Sequence, residues 1–230
     1  MMIIMLEHDI YNADGQRMDS QFRKIDVSYQ DVLTDVDLVD RGMEKDMGYS
    51  ASETAKKHQQ ILDESIRLFR ERGFSGVSIG ELMRAAGLTH GPFYNHFASK
   101  ESLMSEALAR EMDRTRAELD KLPPTQQGKA QYADTYLSEE HMNDCGGGCP
   151  TAALAHEVRQ EPLVQGAFTD KFKVFIQKIS THFPWRSRRS ARGDAIHMFA
   201  SMVGALILAR AVNDDAFARE ILAETRRRIL

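Results

Sequence analysis

The sequence predicts an all-α protein built around one helix-turn-helix unit. From Ser52 onward apolar residues recur at the spacing of amphipathic helices, and no strand pattern is convincing after residue 50. Two short helical patterns also meet at Gly87, the arrangement typical of a helix-turn-helix. With 230 residues and 42% hydrophobic composition, the chain can form one sizeable core or a small module beside a larger one.

The first 46 residues differ in composition from the rest of the chain. They hold eleven acidic and five basic side chains, a net charge of −6, whereas residues 47–230 carry +2. They show no helical stripe, and we expect residues 1–46 to be an acidic, disordered leader. The alternative is an additional element that packs on the body. The overall charge of −4 argues against a globally basic nucleic-acid binder.

Several protein classes are disfavoured by simple features. Two cysteines provide no disulfide framework of the secreted kind, and the N-terminal apolar run lacks the basic start and length of a signal peptide. The longest apolar tract, residues 198–211, is interrupted by Ser201 and Gly204, and we expect it to be too short to span a bilayer. We therefore expect a cytoplasmic protein without membrane contact.

The helix-turn-helix is predicted from capping and turn residues. Gly73 is expected to end the first helix in a left-handed conformation. Ser78 and Glu81 have the spacing of a capping box, which opens a helix over residues 78–86. Gly87 provides the sharp turn, and Thr89 is expected to cap a recognition helix that runs to Phe97.

The rest of the chain also has helical periodicity. Pro123 and Pro124 end the helix that starts at Ser99, and Pro162 resets the chain further on. The remaining helices are predicted over residues 127–144, 151–160, 163–183, 190–211 and 214–229.

The segment GVSIGELMRAAGLTHGPFYNHFASKESLMSEAL resembles the TetR family of one-component transcriptional repressors. The resemblance covers about residues 56–108 and includes an aromatic-Tyr-x-His-Phe run followed by Ser, Lys and Glu. It implies a DNA-binding domain over residues 47–108 and a helical ligand-binding and dimerisation domain over residues 109–230. It also implies a homodimer that binds a double-stranded DNA operator and is released by a small-molecule inducer of unknown identity, with no cofactor and no membrane.

The resemblance also implies roles for individual residues. Tyr94, His96 and Lys100 match the family's phosphate-contacting positions, while Phe93 and Phe97 would point inward. Thr89, His90 and Asn95 are candidates for reading bases. The complete set of predicted DNA-binding residues is Lys56, Lys57, Ser78, Thr89, His90, Gly91, Tyr94, Asn95, His96 and Lys100.

The second half of the chain offers candidates for an interface and a pocket. The last two helices are expected to form the dimer interface, through an apolar stripe of Met198, Phe199, Met202, Ala205, Leu206 and Ala209, with Gly204 allowing close contact. A ligand pocket is expected to be lined by Phe168, Phe172, Phe175, Met198 and Met202, with Trp185 nearby. Stripes of this kind more often belong to the core of a single subunit.

The segment HMNDCGGGCP allows three interpretations. Cys145 and Cys149 could form a thiol switch in two ways. The three glycines between them would permit a disulfide bond to close, or one of the thiols could react with an electrophile. A metal site with His141 and His156 would have unusual spacing, and no metal is expected. The third interpretation is that Cys149 packs at a helix start while Cys145 lies in a loop.

Catalytic motifs are missing from the sequence, which disfavours an enzyme. There is no phosphate-binding loop and no H-E-x-x-H. The segment GVSIG at residues 76–80 matches G-x-S-x-G in letters only, because its Ser78 opens a predicted helix and no strand pattern precedes it. A DNA-binding protein that responds to no ligand remains an alternative, and a fully packed second domain would favour it.

Overall fold

The computed structural model describes residues 51–230, and the predicted leader over residues 1–46 lies outside this part of the chain. The described residues belong to one compact unit of ten α-helices and one 3₁₀ turn, and no strand occurs among them. The all-α prediction is confirmed. The helices are α1 Ala51–Arg72, α2 Ile79–Ala85, α3 Phe93–His96, α4 Lys100–Glu118, α5 Gln126–Tyr136, α6 Glu139–Asn143, α7 Pro150–Val158, α8 Pro162–His182, α9 Ala191–Ala211 and α10 Asp215–Ile229.

Two predicted helices differ from the structure. The single helix expected over residues 127–144 is interrupted after Tyr136, because the Ser138 side chain accepts a hydrogen bond from the His141 backbone and starts α6 as an N-cap. The recognition helix expected over residues 89–97 is much shorter, since α3 begins only at Phe93.

The first hydrophobic core joins α1, α2, α3 and α4 with the middle of the chain. Phe69, Leu82, Phe93 and Leu103 are fully buried in it. Residues of α7 and α8 pack into the same cluster, Leu154 among them. The helix-turn-helix therefore shares one hydrophobic core with α7 and α8. Because this core is closely packed, a shift of α7 would displace the residues of the helix-turn-helix that contact it.

The second core lies between α5, α8, α9 and α10. The predicted dimer stripe belongs here, because Met198, Phe199, Met202, Ala205, Leu206 and Ala209 are all at most 4% exposed within the single chain. Assigning that stripe to the dimer interface was wrong. An α9 residue that packs on α8 and α10 in its own subunit has no surface left for a partner.

By length and composition α9 is the one helix among the described residues that could cross a membrane, with a mean hydropathy of 1.3. The apolar tract of residues 198–211 forms the second part of this helix, which starts at Ala191, close to the predicted residue 190. One face of α9 is buried against neighbouring helices, as in the core helix of a helical protein. Its opposite face exposes Ile196, Ile207 and Leu208.

Candidate nucleic-acid interface and internal cavity

The start of the helix-turn-helix is fixed by the capping box that the sequence predicts. The Ser78 hydroxyl accepts a hydrogen bond from the Glu81 amide, and the Ser78 amide donates to the Glu81 carboxylate at 2.9 Å. The Glu81 carboxylate also accepts hydrogen bonds from the Ser78 hydroxyl and from Arg72, and the bonds from the Ser78 amide, the Ser78 hydroxyl and Arg72 together lower the pKa of Glu81 to about 2. Ser78 itself is exposed at the N-terminus of α2, where helix amides favour a phosphate.

The turn between α2 and α3 depends on a glycine. Gly87 has φ +68°, a conformation that side chains with a Cβ adopt only at a cost. Gly73 ends α1 in the same way, with φ +76°, so its predicted left-handed conformation is confirmed. Leu88 follows and packs against the first core, which holds the turn in place.

The recognition element is a turn followed by one helical turn. Pro92 is the N-cap of α3, and the Phe93 amide bonds the carbonyl of His90. The prediction that Thr89 caps this helix was wrong, because Pro92 has no amide to donate to a cap and a bend at His90 and a turn at Gly91 and Pro92 precede α3. Thr89, His90 and Gly91 consequently lie exposed in the turn that precedes α3.

The side chains of α3 separate into an inner and an outer set, as predicted. Phe93 is fully buried and Phe97 is 3% exposed, whereas Tyr94 is 64% exposed and Asn95 is also exposed. His96 is half-buried beside His58, and burial lowers its pKa, with the charges of His58 and Lys57 adding to the effect. A large exposed Tyr next to an exposed Asn is available to contact another molecule.

The predicted lysines lie on both sides of this element. Lys56 is exposed on α1, and Lys57 is partly buried on the same helix. The Nζ of Lys100 donates to the carbonyl oxygen of Phe74 at 2.6 Å, so this side chain also holds the turn between α1 and α2. The ten predicted DNA-binding residues thus come from α1, the N-terminus of α2, the turn and helix α3, and the start of α4.

A cavity of about 490 Å³ lies between α4, α5, α6 and the start of α7. It has an aromatic wall of Tyr132, Tyr136 and Phe199, and acidic residues at Glu118, Glu140 and Asp144. The remaining lining residues are Glu111, Arg114, Thr115, Thr135, Ser138, His141, Gly147, Gly148 and Cys149.

The five residues predicted to line a pocket do not surround this cavity. Phe175, Met198 and Met202 are buried in the second core. Phe168 and Phe172 stack on each other with ring centroids 5.5 Å apart and are only partly buried. The prediction placed the pocket along α8 and α9, whereas most of the cavity lining comes from α4 to the start of α7 and α9 contributes Phe199 alone.

His141 organises the cysteine-containing segment. Its Nδ1 lies 2.6 Å from the carbonyl oxygen of Tyr136 and must donate a proton to it, so Nε2 accepts the Cys149 amide at 3.0 Å. Burial lowers the pKa of His141, and the nearby Arg210 lowers it further, although the bond to Tyr136 opposes this. The neutral ring thus ties the end of α5 to the start of α7.

The two cysteines have different environments. Cys145 is exposed, whereas Cys149 is 7% exposed and lies in the cavity wall as the N-cap of α7. Within residues 51–230 no group of three or more His, Cys, Asp or Glu side chains is placed to hold a metal ion. Both ring nitrogens of His141 are already hydrogen-bonded, so neither is free to bind the metal ion that one interpretation of the sequence places there.

Sequence reasoning missed a buried ion pair that connects the cavity to α1. The Arg70 guanidinium on α1 donates to the Glu111 carboxylate of α4 at 2.7 Å, with side chains 4% and 8% exposed. Arg70 also donates to the carbonyl oxygen of Gly146, in the loop before Cys149. The sequence could have indicated this pair, because Arg70 and Glu111 lie on the apolar faces of their helices, and a charged residue in such a position needs a partner.

A second polar contact links α7 to the same region. The Glu157 carboxylate accepts hydrogen bonds from the amides of Phe74 and Ser75, at 2.8 and 3.3 Å. Both amides belong to the turn between α1 and α2. Glu157 and Arg70 therefore hold the base of the helix-turn-helix against elements that also line the cavity.

This geometry defines a helix-turn-helix DNA-binding regulator with a cavity behind its DNA-binding helices. The family model described as "Bacterial regulatory proteins, tetR family" matches residues 61–107. The uncharacterized HTH-type transcriptional regulator YvdT of Bacillus subtilis is 30% identical over 140 residues, which cover 56% of this chain and 71% of that protein. The chain belongs to the TetR family of bacterial transcriptional regulators.

Other similarities are more local or concern the fold alone. HTH-type transcriptional regulator AcrR of Shigella flexneri is 46% identical over 54 residues, which cover 24% of this chain and only 25% of AcrR. The crystal structure of Escherichia coli NemR, described as the reduced form, has a TM-score of 0.64 at 20% identity and covers 76% of this chain and 95% of that one. This likeness extends the shared fold beyond the helix-turn-helix.

Proposed function

We propose that the protein is a homodimeric transcriptional repressor that binds a DNA operator and releases it when a small molecule occupies the cavity. The observation that carries this proposal is the outward set of side chains at α3, with Tyr94 and Asn95 exposed above the buried Phe93 and Phe97. Residues 47–108 would form the DNA-binding part and residues 109–230 the part that binds ligand and partner, in the cytoplasm and without catalysis.

The proposed contacts follow from where the side chains lie. Thr89, His90 and Asn95 are exposed near the start of α3 and would read base edges in the major groove. Tyr94 and Lys56 would contact phosphates, as would Ser78 through the N-terminus of α2. His96 is half-buried and would contribute at the edge of this surface.

Titration of the protein with DNA flanking its own coding region tests this proposal. Tyr94→Ala should weaken binding, because it removes a phosphate contact, and Lys56→Gln should weaken it and reduce the salt dependence. Lys173→Gln removes the same charge from α8 and serves as the matched control, with unchanged affinity expected. Equal effects of the two lysine substitutions would contradict the proposed surface.

The dimer interface is proposed on the outer face of α9. Ile196, Val203, Ile207 and Leu208 share this face, and a Cβ built on Gly204 there would meet no atom within 4 Å. Three of these apolar side chains are more than 40% exposed, and Phe217 of α10 is 49% exposed. An apolar face of this kind is typical of a subunit interface, and two subunits would bring two recognition elements to a two-fold symmetric operator.

Coupling between cavity and DNA would run through Arg70 and Glu157. A ligand that displaces Glu111 or the loop at Gly146 would break contacts that hold Arg70, and a shift of α7 would move Glu157 at the turn after α1. Each site would then bias the same movement of the helix-turn-helix, which is the requirement for allosteric coupling.

A thiol-sensing repressor is the second candidate function. It is favoured by the position of Cys149 in the cavity wall, where a small electrophile that enters the cavity would lie beside the thiol. The similarly folded NemR structure is described as a reduced form, which makes a redox comparison reasonable. Operator binding that N-ethylmaleimide abolishes in the wild type and in Cys145→Ser, but not in Cys149→Ser, would support this function. Identical loss in both variants would exclude Cys149 as the sensor.

A further inference from the structure

Two tyrosines that line the cavity have buried hydroxyls that bond no oxygen or nitrogen atom of the described residues. Tyr132 and Tyr136 lie one turn apart on α5, with ring centroids 6.3 Å apart. Both hydroxyl oxygens are shielded from solvent, and neither bonds an oxygen or nitrogen atom among residues 51–230. The Cys149 thiol, a weak hydrogen-bonding group, lies beside the Tyr136 hydroxyl, whereas no such group bonds the Tyr132 hydroxyl within the described part of the chain. Tyr136 is only 7% exposed as a whole. A buried hydroxyl without a partner is unfavourable, so two such groups side by side in one cavity wall point to a missing partner.

Both groups remain neutral donors. Burial raises the pKa of Tyr132 and of Tyr136, and the neighbouring Cys149 thiol raises them further if it ionises. At physiological pH each side chain therefore keeps its proton and can donate one hydrogen bond to an acceptor.

The cations around the cavity are already engaged. Arg114 and Arg70 both donate to the Glu111 carboxylate. Arg210 donates to three backbone carbonyl oxygens, those of His141, Met142 and Asp144.

The acidic side chains bordering the cavity are less engaged. Glu140 and Asp144 have no ion pair within the described part of the chain, while Glu118 pairs with Lys121 at 2.7 Å. An anionic ligand would thus lie beside two carboxylates that have no ion pair, and Arg114, the one arginine that lines the cavity among the described residues, would have to leave Glu111 to bind it.

We propose that the cavity binds an uncharged, largely apolar molecule through a carbonyl or ether oxygen that accepts hydrogen bonds from Tyr132 and Tyr136. The rings of both tyrosines and of Phe199 contact the apolar body, and the volume of about 490 Å³ is in the range of small-molecule sites. This inference rests on the proposed function, because it assigns the chemistry of the inducer at the same cavity.

Ligand entry involves the wall itself. The hydroxyls are shielded in the structure, so a tyrosine side chain turns toward the cavity to meet the acceptor. Tyr136 is held at its carbonyl by His141, whose other nitrogen accepts the Cys149 amide. The Tyr136 ring also packs edge-to-face on the His141 ring, with centroids 4.7 Å apart. A turn of the Tyr136 side chain therefore acts through His141 on the start of α7, the helix whose Glu157 contacts the base of the helix-turn-helix.

A matched pair of probes tests the acceptor. Calorimetry on the full chain without DNA would compare 1-tetralone with tetralin, which lacks only the oxygen, and with 2-naphthoate as an anion. We expect the ketone to bind at least about tenfold more tightly than the hydrocarbon, a preference that one good hydrogen bond can supply. The double substitution Tyr132→Phe and Tyr136→Phe should abolish the preference, and Tyr94→Phe, at an exposed tyrosine, should preserve it.

The unliganded variants provide an independent test. Because neither hydroxyl bonds an oxygen or nitrogen atom of the described residues, Tyr132→Phe and Tyr136→Phe should leave the melting temperature unchanged or raise it. A fall of several degrees in the melting temperature, equal binding of ketone and hydrocarbon, no binding of either, or tighter binding of 2-naphthoate would each overturn the proposal.

Binding of the protein to the operator DNA is measured separately. If the DNA is bound but the ketone is not, this inference fails and the proposed function stands; if the ketone binds without weakening DNA binding, the inducer role fails.

Discussion

The buried ion pair between α1 and α4 leads to a quantitative prediction. Glu111→Gln keeps the shape of the side chain but leaves the Arg70 guanidinium, 4% exposed, without its carboxylate. Breaking a buried pair by removing one partner typically costs about 3–5 kcal/mol. Because a Gln oxygen still accepts one bond and the carbonyl of Gly146 remains bound to Arg70, we expect about 3 kcal/mol, the lower end of that range.

The opposite substitution should cost less. In Arg70→Met the Glu111 carboxylate keeps two hydrogen bonds from Arg114, a residue that is 62% exposed and stays charged. Removing the anion therefore leaves a buried charge unpaired, whereas removing the cation does not. The free energy of unfolding should fall more in Glu111→Gln than in Arg70→Met.

Urea denaturation of both variants, the double variant and a control measures these differences. Glu64→Gln is a suitable control, because Glu64 pairs with Arg67 at the surface of α1, where such pairs contribute about 0–1 kcal/mol. The double variant should cost less than the sum of the single ones, since the two residues share one interaction. If Glu111→Gln is no more destabilising than Glu64→Gln, the assignment of a buried, coupled pair is refuted.

Three further predictions follow from the turn, the histidine and the outer face of α9. Gly87→Ala should destabilise the fold by about 1 kcal/mol, because φ is +68°, although the nearest atom to a new Cβ is 4.0 Å away. Gly91→Ala should be neutral, and thermal unfolding of the two variants compares them. The pKa of His141 is lowered in the folded state, so its contribution to the free energy of unfolding is complete above the unfolded pKa of about 6.5 and is lost as pH falls. The free energy of unfolding should therefore decrease from pH 7 to 5, and His141→Gln should make this decrease smaller. Leu208→Glu should shift the protein from dimer to monomer in sedimentation velocity without unfolding it, because Leu208 is 57% exposed, and an unchanged dimer would contradict the proposed interface.

Much of the fold could be predicted because prolines, glycines and caps mark most helix ends. Pro162 starts α8, and Ser78 and Ser99 cap the helices that follow them, as the sequence indicates. The division into α5 and α6 was missed because Ser138 can continue a helix as well as cap one, and only packing decides between the two. The short α3 has a similar origin, since Pro92 is compatible with a first helical turn or an N-cap.

The candidate sites were less predictable than the fold. Phe93 and Phe97 could be assigned to the core from their positions, and the structure confirms this. The cavity could not be predicted in the same way, because a void is set by how helices far apart in sequence meet. Periodicity does not reveal which of two apolar faces of α9 is internal either, and here the face with Met198 is internal and the face with Leu208 is external.

The most direct test of the central claim is a comparison of two DNA fragments of equal length. One contains the DNA flanking the protein's own coding region and the other its scrambled sequence, and both are titrated at physiological ionic strength with wild type and Asn95→Ala. A DNA-binding regulator should prefer its own site by about 10³-fold or more, and Asn95→Ala should reduce that preference by weakening the specific complex alone. Equal affinity for both fragments, with no effect of Asn95→Ala, would contradict the assignment of α3 as a sequence-reading element.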